Sequence, residues 1–202
     1  MAKKLGTLGR VMVYGRLSFP ALANPEKPPQ EGKPRYAVHL LIPKNGEDHK
    51  LVMEVCREVF LDKWGKLDDA KRKATWNEIT NNPMRFFVRD GDTKAYDGYA
   101  GNVELSAYNT LPAQRPTCID QRRNALSPDQ IEQTFYSGCY VNCILNIWAQ
   151  DNKAGKGIRA SIGGVQFAKD GERFSGAAIA KAEDFEEIED ISAEDAGDFG
   201  LV

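Results

Sequence analysis

The sequence predicts a mainly β fold, in which a small, strongly curved antiparallel sheet carries one main inserted helix. Three observations support this class. Apolar and polar residues alternate in several segments, most clearly in YSGCYVNCILNIWA over residues 136–149, and a period of two is typical of strands. The stretch that begins at Glu47 has the helical period instead. Turns rich in glycine and aspartate separate the later segments, as expected of hairpins.

The strand predicted over residues 136–149 has two faces of different character. Cysteine and aliphatic side chains occupy one face, which suits a hydrophobic core. Tyr140, Asn142 and Trp148 lie on the other face, where aromatic rings alternate with amides. Tyrosine and tryptophan are enriched at binding surfaces because one part of each side chain is apolar and another is polar. This second face is therefore a candidate binding surface.

A similar pattern occurs near the start of the chain. Over residues 9–19 the alternation turns Phe19 toward the core together with two valines and a leucine. It turns Arg10, Tyr14 and Arg16 outward, so that two arginines flank a tyrosine on this face.

The segments that follow differ from these strands and from each other in proline content and in the period of their apolar residues. Residues 20–34 contain five of the chain's ten prolines and are predicted to form an exposed loop. Residues 35–42 form a second strand. Apolar residues then recur every three to four positions over residues 47–60, which indicates a helix that packs on the sheet. The more polar residues 62–79 are predicted to continue as a second helical segment.

The second half of the body contains shorter elements. Further strands are predicted over residues 84–88, 102–108, 115–119 and 158–167. Glu104 and Tyr108 point outward in their strand, Ser127 can cap a short helix, and Gly163–Gly164 indicates a bulge. Six or seven strands with one interposed helix are compatible with an antiparallel barrel such as the OB-fold. A β-sandwich or an open α+β sheet would give a similar pattern.

Charge is distributed unevenly along the chain, although the net charge is only −2. All 27 lysines and arginines lie at or before Lys181, whereas nine of the 29 acidic residues follow it, so residues 1–182 carry a net charge of +7. We expect residues 1–182 to form one domain and residues 183–202 to be a flexible acidic tail with too few packing residues to fold. A basic body favours an anionic partner.

The cysteines and the hydropathy of the chain indicate its compartment. No CxxC spacing relates the four cysteines, which are Cys56, Cys118, Cys139 and Cys143. We expect reduced core residues rather than a disulfide or zinc framework. No run approaches the ~18 apolar residues of a membrane-spanning helix. The pattern is typical of a soluble protein of the cytoplasm.

One type of outward face recurs on several predicted strands, with an aromatic residue close to an arginine or lysine. Single-stranded nucleic acid needs aromatic platforms for its bases and a basic track for its phosphates. The candidate binding residues are Arg10, Tyr14, Arg16, Arg35, Tyr108, Tyr140, Asn142, Trp148, Lys156 and Arg159. We expect their side chains to converge on one solvent-open groove, in which the rings stack on bases and the cations contact phosphates.

Two other functions remain open from the residues alone. Asp90, Asp92 and Glu104 could bind Mg²⁺ in a nuclease, although a segment such as RDGD is also typical of a turn. A structural or assembly protein would use the same aromatic face to bind protein. Neither histidine lies near these acids in the sequence, so we expect no catalysis, no metal and no cofactor.

The order of several sequence blocks resembles a known family. The blocks are RLSFPALANP (16–25), PRYAVHLLIPK (34–44), PMRFFVRDGD (83–92), YAGNVELSAYN (99–109), RPTCID (115–120), FYSGCYVNCILNIW (135–148), NKAGKGI (152–158) and KDGERFSG (169–176). They are similar to those of the phage and prophage single-stranded DNA-binding proteins of the Enc34 type. The similarity spans most of residues 10–182.

The resemblance implies a fold and a function. Proteins of this type have an OB-fold core and an acidic C-terminal tail, and their plan is similar to that of the replication single-strand binding proteins of T-odd coliphages. The resemblance implies sequence-independent binding of single-stranded DNA during phage replication, recombination or repair, without catalysis. The tail is then expected to compete with DNA for the groove or to recruit replication and recombination proteins, since tethering gives it a high effective concentration.

Overall fold

Eight strands and three α-helices form the described part of the chain, which comprises residues 2–28 and 32–174 of a computed structural model. The strands are β1 (Lys3–Lys4), β2 (Arg10–Glu26), β3 (Arg35–Pro43), β4 (Val88–Asp90), β5 (Asn102–Thr110), β6 (Thr117–Ile119), β7 (Tyr140–Asn152) and β8 (Gly155–Lys169). The helices are α1 (Glu47–Trp64), α2 (Asp69–Thr80) and α3 (Pro128–Thr134). The predicted domain boundary after residue 182 and the acidic tail of residues 183–202 lie outside the described residues.

The strands form one curved sheet in the order β4-β5-β3-β2-β7-β8-β6, with β1 paired to β2. All pairings are antiparallel except that of β6 with β8. This confirms the prediction of a mainly β, OB-like fold, but within the described residues no continuous ladder closes the curved sheet into a barrel. The segment just before β4 is instead joined to β8 by two backbone hydrogen bonds. Phe87 N donates to Ile158 O (3.2 Å), and Ile158 N donates to Arg85 O (2.9 Å). Gly157 permits this approach, since a Cβ atom there would lie 2.8 Å from the Arg85 carbonyl oxygen.

The inner side of the sheet is apolar because alternate residues of the long strands are aliphatic. Val13, Leu40 and Leu145 are completely buried there, and each such side chain contributes about 1.5–3 kcal/mol to folding. Helix α1 packs against β7, β2 and β3 and buries Val52 and Cys56 against them. The core therefore fixes which side of every long strand faces solvent.

The helices begin where the sequence supplies capping groups. Helix α1 has two acids in its first turn, where negative charge is favourable. Asp68 caps α2 by accepting a hydrogen bond from Lys71 N (2.9 Å), so the predicted continuation over residues 62–79 is a separate helix. Ser127 and Gln130 form a capping box at the start of α3, which confirms the predicted role of Ser127.

The predicted loop over residues 20–34 is wrong in its first part, because β2 continues to Glu26. Two irregularities in the pairing of β2 with β3, between Ser18 and Ala21 and between Ala21 and Glu26, explain how this strand contains two prolines. A proline has no N–H group to donate, so it is tolerated in a strand at such bulges. Proline content alone was therefore a poor guide to where the strand ends.

The bulge also reverses the predicted position of Phe19. Ser18 pairs with His39 and Ala21 pairs with Ala37, so β2 has one more residue than β3 between these two pairs. An extra residue interrupts the alternation of side chains. Phe19 consequently has 52% of its surface exposed, and the prediction that it faces the core is wrong.

Two further expectations need correction around the strand predicted over residues 84–88. The strand itself, β4, begins only at Val88, and Phe86 forms an isolated bridge to Ile158 instead. Glu104 lies on the outer side of β5 as predicted, but it is completely buried. Lys94, from the loop before β5, covers its carboxylate by pairing with it.

Other predictions are confirmed. All four cysteines are free and buried, and the pairing of β7 with β8 shifts at the expected Gly163 bulge. Within residues 2–28 and 32–174, no helix has the length and apolar composition needed to cross a membrane.

Candidate nucleic-acid interface

The register of the strands brings candidate residues to the outer side of the sheet. Arg16 of β2 pairs with Tyr140 of β7, and Trp148 of β7 pairs with Arg159 of β8. Residues directly opposite each other in a ladder share a face. The outer side carries two separate surfaces.

The first surface is a groove of about 450 Å³ between β3, β5 and β8. Arg35, Tyr108 and Arg159 line it together, although they are far apart in the sequence. The other lining residues include Lys33, His39, Met84 and Arg89. We call this surface the basic groove. It exists because the curved sheet brings β8 back toward β5, where the Asn109 amide and the backbone of Ile162 exchange two hydrogen bonds of 2.9 Å.

Two cations of the basic groove, Arg35 and Arg159, are only lightly engaged by the protein, whereas Arg89 donates from Nε to Pro83 O (3.2 Å). The Arg35 guanidinium lies 4.5 Å from the centroid of the Tyr108 ring, a cation–π contact that leaves its N–H groups available. Nε of Arg159 is buried and has no hydrogen-bond partner within the described residues. A buried unsatisfied donor is costly, and the guanidinium of Arg159, which is only partly buried, can pair with a phosphate through its other N–H groups.

Trp148 and Arg10 lie at the edge of this surface. Trp148 is 46% exposed and lies beside Arg159 through the β7–β8 pairing. Arg10 pairs with Asn146, two residues before Trp148 on β7, and is therefore its diagonal neighbour. An exposed indole ring thus extends the basic groove along β7.

The second surface is formed by Tyr14, Arg16, Tyr140, Lys169 and Phe174, and we call it the tyrosine patch. The Tyr14 and Tyr140 rings stack in parallel with centroids 5.6 Å apart and planes 12° apart. The Lys169 ammonium lies 4.6 Å from the Tyr140 centroid. Eight residues separate Tyr140 from Trp148 on β7, or roughly 26 Å in a strand. The structure thus distributes the candidate residues over two surfaces rather than one groove.

Arg16 and Asn142 have protein partners on the tyrosine patch. Arg16 donates from Nε to Gly138 O (3.1 Å) and from Nη2 to Glu172 O (2.6 Å). Its guanidinium also lies 4.2 Å from the Phe174 centroid. Asn142 pairs with Tyr14 and donates from Nδ2 to Gln166 Oε1 (3.1 Å). Arg16 therefore holds the segment before the tail against the sheet.

Lys156 lies away from both surfaces. Along β8 it alternates with Arg159 and so belongs to the side that α1 covers. Its ammonium lies 6.0 Å from the centroid of the Trp64 ring of α1.

A buried charge network lies beneath the basic groove. The Glu104 carboxylate is completely buried and pairs with His39 through one oxygen and with Lys94 through the other. Burial alone would raise the pKa of Glu104, but the hydrogen bonds from His39 and Lys94 outweigh burial and lower the pKa to about 2. The carboxylate thereby fixes the position of His39, which lines the groove.

Three groove residues with ionisable side chains are absent from the candidate set obtained from the sequence. Arg89 was missed because the predicted strand ended one residue before it, whereas its alternation with Val88 indicates an outward position. His39 shares a strand face with Arg35, which was a usable signal. Lys33 lies within the proline-rich segment of residues 20–34, where periodicity gives no information.

The acids of the nuclease hypothesis are paired with cations. Lys44 pairs with both Asp90 and Asp92, and Lys44 is the largest cause of the lowered pKa of each carboxyl. Glu104 is engaged by His39 and Lys94. No group of three or more His, Cys, Asp or Glu side chains in residues 2–28 and 32–174 is arranged to hold a metal ion.

Comparisons with known proteins agree with this architecture. A putative protein p50 of Acyrthosiphon pisum secondary endosymbiont phage 1 is 42% identical over 176 residues, which cover 86% of this chain and 90% of the relative. The solved structure of the single-stranded DNA-binding protein from bacteriophage Enc34 in complex with ssDNA matches with a TM-score of 0.62 and 27% identity, over 83% of this chain and 90% of that one. The structure of gp2.5, encoded by bacteriophage T7, shares the fold at 13% identity, with a TM-score of 0.55 over 90% of this chain and 96% of that one.

A family model also matches this chain, over most of its length. It is described as "Enterobacter phage Enc34, ssDNA-binding protein" and matches residues 10–198. This chain therefore belongs to the Enc34 family of single-stranded DNA-binding proteins.

Proposed function

We propose that this protein binds single-stranded DNA without sequence preference, and that the basic groove carries the binding. The observation behind the proposal is the convergence of Arg35, Tyr108 and Arg159 around one open groove, where an arginine N–H lacks a partner among the described residues. Stacking platforms next to unsatisfied cations are what a single strand requires. The Enc34 family and a relative solved with ssDNA support the same function.

The position of the groove also supports this proposal. OB-fold proteins bind oligonucleotides on their second and third strands and on the loops after the first and fourth strands. In this chain the second and third long strands are β3 and β5, which contribute Arg35 and Tyr108. The loop after β2 contributes Lys33.

We assign different roles to the candidate residues. Tyr108 and Trp148 stack on bases, while Arg35, Arg159 and Arg10 contact phosphates. Tyr14 and Tyr140 offer a further stacking surface to a strand long enough to reach the tyrosine patch, with Asn142 beside it. Arg16 and Lys156 contribute mainly positive charge, because Arg16 already bonds to backbone carbonyls and Lys156 lies beside Trp64.

The phage relatives support a proposal for the biological setting. We place the activity in phage DNA replication, recombination or repair within the cytoplasm of the host cell. The nine acids after Lys181 are proposed to compete with DNA for the cations of residues 1–182 or to recruit partner proteins. Deleting residues 183–202 should then tighten DNA binding, and an unchanged affinity would exclude competition.

Fluorescence anisotropy with labelled oligo(dT) tests the main proposal. Binding should weaken steeply with salt, with a slope of log K against log salt of about −0.7 for each phosphate contact. Trp148→Ala should weaken binding with little change in melting temperature, because nearly half of the side chain is exposed. Absence of binding, or an affinity that does not respond to salt, would contradict the proposal.

We further propose that the protein is not an enzyme. The pairing of Asp90, Asp92 and Glu104 with lysines supports this, because carboxylates that bind Mg²⁺ must offer free oxygens. Incubating labelled single strands with the protein and Mg²⁺ tests it, and cleavage that Asp92→Asn abolishes would establish the nuclease alternative.

A further inference from the structure

A second cavity lies next to the basic groove, on the other side of Arg35 and His39, which line both. Its volume of about 440 Å³ lies within the range of small-ligand sites. Its walls include Phe19 and Tyr96, and its floor holds His39, Lys94 and the buried Glu104. We call this cavity the aromatic pocket.

Two half-exposed rings face this cavity. Phe19 is 52% exposed and Tyr96 is 57% exposed, and they meet edge to face with centroids 5.2 Å apart. Neither ring is buried enough for its size to be explained by the core. Large exposed aromatic groups that lie together mark binding surfaces more often than isolated ones.

The backbone of Phe19 gives an independent indication. Its φ angle is +42°, which is rare for a bulky residue, and the residue precedes a proline. Ser137 holds this conformation, since Phe19 N donates to Ser137 Oγ (3.0 Å). Glycine would adopt this φ with less strain. The strain therefore presents a phenyl ring to solvent, and strained residues cluster at functional sites.

The charges around the pocket favour an anionic ligand. The carboxylate of Glu104 is paired with Lys94 and bonded to His39, whereas Lys27 and Arg35 add positive charge to the rim. Glu26 is the opposing charge that lines the cavity. Positive charge that continues into the basic groove fits a nucleic-acid strand better than an apolar peptide, because the strand carries a phosphate at every nucleotide.

We propose that the aromatic pocket is a nucleobase subsite, in which one base of a single strand that leaves the basic groove past Arg35 stacks on Phe19 and Tyr96. The subsite rests on the proposed DNA-binding function and adds to it a second stacking position, separate from Tyr108. Stacking accepts every base, because each has a π-face. The subsite therefore adds affinity without adding sequence preference.

The substitution Phe19→Gly tests the subsite, since it removes the ring and suits the observed backbone. The melting temperature should stay the same or rise, whereas affinity for oligo(dT) should fall about 5- to 150-fold, the loss of one stacked base. Phe19→Tyr should retain wild-type affinity. Leu61→Ala is the matched control, because Leu61 is 51% exposed on α1, away from both cavities.

A base-specific signal completes the test. The fluorescence of 2-aminopurine within oligo(dT) should be quenched on binding, and both Phe19→Gly and Tyr96→Ala should reduce the quenching. A folded Phe19→Gly protein with wild-type affinity and wild-type quenching would overturn the subsite. Should Phe19→Gly not fold, the same comparison with Tyr96→Ala decides. Failure of the wild-type protein to bind oligo(dT) would instead overturn the proposed function, so the two failures are distinguishable.

Discussion

The basic groove and the tyrosine patch both combine arginine with tyrosine, yet they use the arginine differently. In the groove, Arg35 rests on Tyr108 and Nε of Arg159 has no partner among the described residues. In the patch, Arg16 donates to two backbone carbonyls and lies against Phe174. The difference shows that an arginine near an aromatic ring can bind a ligand or hold the fold, and that its remaining hydrogen-bonding capacity distinguishes the two roles.

The largest effect is expected from the buried charge network of Glu104, His39 and Lys94 beneath the basic groove. Glu104→Gln should lower the free energy of unfolding by about 3 kcal/mol at neutral pH, because it removes the buried carboxylate that pairs with Lys94 and bonds to His39. The pKa of Glu104 is lowered from 4.5 to about 2, so its contribution is complete above about pH 4.5 and is lost as the pH falls toward 2. Urea unfolding between pH 2 and 7 measures both effects.

An exposed acid provides the control for this prediction. Asp92→Asn removes a carboxylate that pairs with Lys44 at the surface, so it should change stability far less. Equal losses for the two variants, or a Glu104→Gln protein with the wild-type acid profile, would show that the buried network does not stabilise the groove.

The next largest effect is expected from removing the positive charges of Arg35 and Arg159 in the basic groove. The double variant Arg35→Gln, Arg159→Gln should bind oligo(dT) at least ~100-fold more weakly at low salt, because two charge-assisted hydrogen bonds together contribute about 3–6 kcal/mol. Its salt slope should become shallower by about 1.4, the value for two lost contacts. Anisotropy titrations over a series of salt concentrations measure both quantities.

A double variant on the helices provides the matched control for charge. Lys63→Gln, Lys73→Gln removes the same two charges from exposed positions on α1 and α2. Its affinity should change only a few-fold. If both double variants weaken binding equally, net charge rather than the groove would account for the affinity.

The third effect separates stacking from charge. Tyr108→Ala should weaken oligo(dT) binding about tenfold, since a stacked base contributes about 1–3 kcal/mol, and the salt slope should stay unchanged. Tyr108→Phe keeps the ring and should bind like the wild-type protein. An equal loss in Tyr108→Phe would mean that the hydroxyl group, not the ring, makes the contact.

Much of this architecture could be predicted from the sequence, because a strand that is buried on one side must alternate apolar and polar residues. The outward positions of Tyr14, Arg16 and Tyr140 follow from that rule. The rule fails where local structure overrides it: the bulge turns Phe19 outward, and Lys94 covers Glu104. That Arg35 and Arg159 line the same groove could not be predicted, because it depends on the curvature of the sheet. Long-range contacts set this curvature, and a local sequence pattern contains no information about them.

Arg16 gives the clearest contrast with the groove. Arg16→Gln should lower the free energy of unfolding by about 1–3 kcal/mol, because it breaks two hydrogen bonds from a charged donor. Its effect on oligo(dT) affinity should be below threefold at temperatures where the variant is folded. Thermal unfolding and anisotropy measured on the same preparations check both. A tenfold loss of affinity in a fully folded variant would place Arg16 among the phosphate contacts.

The smallest effect is expected from the tyrosine patch, and it depends on the length of the DNA. Tyr140→Ala should leave the affinity for an oligo(dT) of about 6 nucleotides unchanged, because such a strand fills only the basic groove; OB-folds cover about 4–16 nucleotides. With about 20 nucleotides the strand can extend along β7 to the stacked pair of Tyr14 and Tyr140, and the variant should then lose three- to fivefold. Tyr108→Ala is the control, since it should weaken binding at both lengths. A loss from Tyr140→Ala that is equal for the two lengths would place Tyr140 in the groove's own binding site, and no loss at either length would leave the stacked tyrosines with a purely structural role.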